Sequence, residues 1–124
     1  MADASLGGGL SAAEASQLEA VPLPALQRQH LRLLAHSLRS LQAAASSSHG
    51  PMPSRAKLLS WAASQPALKH DTAFQALLVD QLIGAGVQLQ DLAAHHGLGE
   101  DPLSISLEQL IEAAIAIGSA AIMG

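Results

Sequence analysis

The 124-residue sequence contains no cysteine. Disulfide frameworks, thiolate nucleophiles and cysteine-ligated zinc are thereby excluded. It also contains no tyrosine, one phenylalanine and one tryptophan, too few rings for the stacking platforms that hold single-stranded nucleic acid. The β-branched and aromatic residues that favour strands are scarce. Positive charge is in short supply: 6 Lys and Arg stand against 10 Asp and Glu, a net charge of −4 with histidine neutral. That is a weak footprint for phosphate recognition, which needs concentrated positive potential. The first 20 residues hold Asp3, Glu14 and Glu19 but no Lys or Arg, so the basic start of a signal peptide is missing. The longest uncharged apolar stretch, Ala113 to Gly124, has 12 residues, short of the roughly 20 that span a bilayer. A cytoplasmic protein without a transmembrane segment is the expectation.

What is present is an apolar fraction of 49% built mainly from Ala and Leu, small and medium side chains that suit close helix packing. The chain reads as an all-α, irregular or orthogonal bundle of about five helices. Residues 1–20 form an expected flexible leader around Gly7-Gly8-Gly9, although Ser11 and Glu14 have capping-box spacing and allow a short helix over Ala12–Ala20. Residues 21–124 form a single helical domain. Its first helix starts at Pro24, tolerated at a first helical position, and runs over Leu26–Ala44. On a helical wheel Leu26, Leu31, Leu33, Leu34, Leu38 and Leu41 share one face, and Arg28, Arg32, His36 and Arg39 share another.

Ser54 caps a second helix over Arg55–Ser64, and Asp71 caps a third over Thr72–Ile83. Phe74, Leu77, Leu78, Val79, Leu82 and Ile83 cover so much of that third helix that it should lie centrally. Gly84-Ala85-Gly86 reads as an interruption, followed by a fourth helix over Leu89–His96 that Gly97 stops. Leu89–Leu98 resembles the first helix and turn of a helix-turn-helix unit. The segment after the turn carries Glu100, Asp101, Glu108 and Glu112, which would face phosphate where a recognition helix needs basic and amide side chains. The string therefore reads as a helical corner. Ser106 and Gln109 form a second capping box for a last helix from Leu107.

Charge is segregated along the chain. All six basic residues lie between Arg28 and Lys69, a window without acids, and seven acids follow from Asp71 onward with no Lys or Arg among them. Two readings stand side by side. The basic and acidic halves pack against each other, or the ridge of Arg28, Arg32, His36 and Arg39 docks a protein partner with an acidic surface, since the arginine fork holds a carboxylate at two points.

Chemistry-bearing constellations are weak. His95 and His96 point about 100° apart on a helix and do not grip one metal from a single face. Asp91 and His95 have the spacing for an orienting hydrogen bond, with Glu108 as a further acid, but no nucleophile elbow accompanies them. The glycine strings lack a phosphate-binding context. No catalytic residue, metal or cofactor is assigned. The C-terminal stretch is apolar nearly all round, so Ile115, Ile117 and Ile122 are the expected interface of a homo-oligomer, most simply a two-fold dimer. The expected function is a protein-interaction module serving as adaptor or in assembly. A nucleic-acid regulator using the basic first helix is the alternative. A small-ligand carrier or enzyme with an interhelical pocket near Trp61, His36 and His95 is a third.

Overall fold

A computed structural model describes residues 10–123, with side chains described through residue 116. Glycines 7 to 9 of the expected leader lie outside the described residues. Five α-helices and one 3-10 turn follow one another: α1 (Ala12–Glu19), α2 (Ala25–Ala45), α3 (Arg55–Ser64), α4 (Thr72–His95), the turn Pro102–Ser104, and α5 (Leu107–Met123). Among the described residues there is no strand, and the all-α bundle read from composition is the fold.

Local chemistry sets most helix starts. Ser11 and Glu14 close a reciprocal capping box on α1, with Glu14 N–H donating to Ser11 Oγ at 3.1 Å and Ser11 N–H to Glu14 Oε1 at 3.2 Å. Ser54 Oγ accepts from Lys57 N–H at the head of α3, and Asp71 Oδ1 from Phe74 N–H at the head of α4. Ser106 and Gln109 repeat the capping box on α5. Pro24 sits one position earlier than expected, as the N-cap of α2. At the other end of α4, Gly97 adopts φ 74 and Leu98 N–H donates to Ala93 O at 2.7 Å. This is the left-handed helix stop that glycine makes without a Cβ penalty.

Two expectations are corrected. The third and fourth helices are one continuous helix of 24 residues, α4, which runs straight through Gly84-Ala85-Gly86. A glycine inside a helix costs about 1 kcal/mol relative to alanine, and tertiary burial outweighs it here. Ala85, Gly86 and Leu89 are buried, and Gly86 faces the Met52 sulfur. The apolar faces are also narrower than the wheels suggest. Leu26 is 81% exposed and Leu33 is exposed as well, whereas Leu31, Leu34, Ala35, Leu38 and Leu41 form the core stripe of α2. Phe74 and Leu77 likewise face solvent, Leu77 at 64%, so the first half of α4 is not enclosed.

The core gathers Leu18 of α1, the α2 stripe, Leu58 and Ala62 of α3, Val79, Leu82, Leu89 and Ala93 of α4, and Leu103, Ile105, Leu107 and Leu110 near the start of α5. α2 touches every other element, and a relay of polar contacts crosses it. The Arg39 guanidinium donates to Glu14 through Nε at 3.1 Å and Nη2 at 2.5 Å, and through Nη1 to Gln42 Oε1 at 2.8 Å. Gln42 Nε2 donates on to the Leu103 carbonyl at 2.7 Å. α1, α2 and the 3-10 turn are thus linked through one arginine. The Arg39 hydrogen bonds hold the Glu14 carboxyl below its ordinary value, against an opposing effect of burial.

Because the folded state lowers the pKa of Glu14, the carboxylate stabilises the fold above the ordinary value of 4.5 and loses that contribution as pH falls through the lowered one. Denaturant titrations should therefore show Glu14→Gln less stable than wild type at neutral pH, with the gap closing on acidification. A gap independent of pH would contradict the pairing. Gly84 is exposed with open space around the Cβ it lacks. Gly84→Ala should accordingly raise stability by about 0.5–1 kcal/mol, whereas a helix broken at this position would be destabilised by the same change.

Candidate functional site

The expected arginine ridge exists as a face of α2, but α1 lies along it. Arg28 Nε is 4.0 Å from Glu19 Oε1, Arg32 pairs with the other oxygen of Glu19, and Arg39 is bound to Glu14. Arg28 also donates to the Leu23 carbonyl at 3.1 Å. His36 is exposed beyond this contact. Among the described residues, one ion pair joins the basic stretch to the acidic second half, Arg55–Asp80 at 2.9 Å. The charge segregation read from the sequence is resolved mainly by acids that precede the basic window. The signal for this was local: a capping box at Ser11 places Glu14 on a helix, and Glu19 follows on the same helix.

A second surface lies between α2, α4 and α5. Leu31 and Leu34 of α2, Leu92 of α4, and Leu110 and Ala114 of α5 form an apolar floor beneath a cleft of about 690 Å³. This volume lies within the range of ligand-binding pockets. The rim carries His30, Gln88, Asp91, His95, His96 and Glu112, and Ala113 and Ala116 complete the α5 wall. His30 Nε2 donates to Gln88 Oε1 at 3.2 Å across the α2–α4 side. His95 Nδ1 donates to the backbone carbonyl of Asp91 at 2.9 Å. The expected hydrogen bond between the Asp91 and His95 side chains is replaced by this helical back-bond. The interhelical pocket contains His95, but Trp61 and His36 do not line it.

Sequence reasoning named an interhelical pocket with His95 but missed the rest of this cleft, because its floor is drawn from three elements and reads as core on each of them. Ile115, on the neighbouring face of α5, is 39% exposed; the side chains of Ile117 and Ile122 lie outside the described residues. No three His, Asp or Glu are grouped closely enough to hold a metal ion among the described residues. No described helix is long and apolar enough to cross a membrane.

Comparison with curated proteins found no match, and comparison with solved structures found none. The model of one protein family, described as NDH complex assembly factor CRR9, matches residues 10–118. That span contains α1 to α4 entirely, the cleft-lining residues of all three helices, and most of α5. The chain therefore belongs to the NDH complex assembly factor CRR9 family.

Proposed function

We propose that the chain assists assembly by holding a protein segment of the NDH complex, or of a precursor to it, in the cleft between α2, α4 and α5, and releasing it chemically unchanged. The observation that carries this reading is the cleft: a concave apolar floor flanked by polar side chains, in a family whose description is assembly. Apolar ground of this kind supplies affinity, while the surrounding polar groups set orientation. The chain then works in whichever compartment the complex is put together, and the cytoplasmic setting expected from the sequence holds only if assembly takes place there.

The arginine face supports a second reading. Glu14 and Glu19 seat there, so the surface formed by Arg28, Arg32 and Arg39, with His36 beside it, accepts carboxylates on a helix. A partner with an acidic surface would take that position by displacing α1, which is anchored by the buried Leu18. Self-association through Ile115 and the end of α5 is compatible with either reading and would place a second copy beside the cleft.

A photo-crosslinking side chain substituted at Ala113 on the cleft wall, compared with one at the exposed Ala63 of α3, tests the leading reading in cells that build the complex. Subunits of the NDH complex should be captured from position 113 and not from position 63. Absence of any NDH subunit among the position-113 adducts, with the complex still accumulating when the cleft is filled by Ala113→Trp, would overturn it.

A further inference from the structure

The cleft also specifies the charge of what it holds, an inference that rests on the proposed holding role. Its walls carry Asp91 on α4 and Glu112 on α5, and no Lys or Arg lines it. Both acids are exposed and neither has an ion-pair partner among the described residues. Three histidines, His30, His95 and His96, also line it; His30 Nε2 donates to Gln88 and His95 Nδ1 to the Asp91 carbonyl, so neither of these nitrogens points to a cleft carboxylate. Among the described residues the two carboxylates therefore have no Lys or Arg beside them and no ion-pair partner, while the floor is apolar. The α5 wall is built from Ala113, Ala114 and Ala116, small side chains that let a helix backbone approach closely.

We infer that the cleft receives an amphipathic helix of a partner protein with Lys or Arg beside an apolar stripe. The stripe lies on Leu31, Leu34, Leu92 and Leu110, and the cations face Asp91 and Glu112. Helix-in-groove recognition of this type reads apolar anchors at i, i+3, i+4 and i+7, and complementary charge fixes orientation and suppresses wrong partners. A second copy does not supply such a helix from its described residues. Arg28, Arg32 and Arg39 are engaged by α1 and Arg55 by Asp80. Lys57 lies on the short helix α3 and Lys69 in the turn after it. The charge sign is the reverse of the acidic partner that the arginine ridge suggests.

The test uses the full chain and a fluorescein-labelled synthetic leucine–lysine amphipathic helix, with its leucine–glutamate counterpart as control, followed by fluorescence anisotropy. The lysine peptide should bind and the glutamate peptide should not. Glu112→Lys should weaken binding about tenfold. Glu100→Lys, the same charge change at an exposed position outside the cleft, should change it by less than about twofold. Ala114→Trp fills the cleft at constant charge and should also weaken binding, with the circular-dichroism spectrum verifying that the bundle is intact. Equal binding of the two peptides, equal loss in Glu100→Lys and Glu112→Lys, or self-association of the chain that competes with the peptide would overturn the inference. If NDH subunits are still captured from position 113 while the lysine peptide fails, only the charge of the occupant is wrong. If they are not captured, the holding role itself falls.

Discussion

Burying one face of α2 is the constraint on which the rest of the fold depends. Its core stripe, Leu31, Leu34, Ala35, Leu38 and Leu41, is covered by all the other elements, and the adjoining face carries three arginines. An arginine partly withdrawn from water without a counter-charge is expensive. The short helix α1 meets that need by bringing Glu14 to Arg39 and Glu19 to Arg28 and Arg32 while burying Leu18. The ion pairs other than Glu14–Arg39 are largely solvated and contribute little individually. Glu14–Arg39 differs because the same guanidinium continues through Gln42 to the Leu103 carbonyl, so that a single side chain coordinates three parts of the chain.

Features written into a few neighbouring residues were legible in the sequence. Ser11 with Glu14, Ser54, Asp71, Ser106 with Gln109, and Gly97 all act where their spacing places them, since a cap and the groups it satisfies lie within one helical turn. Features decided between elements were not. Gly84 and Gly86 signal a break when only local propensity is considered, yet burial of Ala85 and Leu89 keeps α4 whole. Leu26 and Leu33 belong to the leucine face by angle, but no other helix covers them. The floor of the cleft was illegible for a related reason: Leu31, Leu92 and Leu110 each signal core, and only the way α2, α4 and α5 come together makes them a floor.

Electrostatically, the molecule has a closed side and an open side. The positive face of α2 is answered within the chain, whereas Asp91 and Glu112 have no counterion among the described residues. Net charge alone, or the order of charges along the sequence, does not distinguish these cases, because pairing depends on which helix lies across which. Internal neutralisation of the arginines lowers the attraction of that face for other acidic surfaces.

The relay through Arg39 also carries an order in time. Glu14 and Arg39 are 25 residues apart, but Gln42 and Leu103 are 61 apart. During synthesis from the N-terminus, α1 and α2 emerge early and can meet, yet the amide of Gln42 has no carbonyl to reach until Leu103 has left the ribosome. α2 is thus fully secured only when the segment just ahead of α5 has been made, and the nascent chain passes through an interval in which α1 and α2 are joined while the Gln42 amide still lacks its carbonyl.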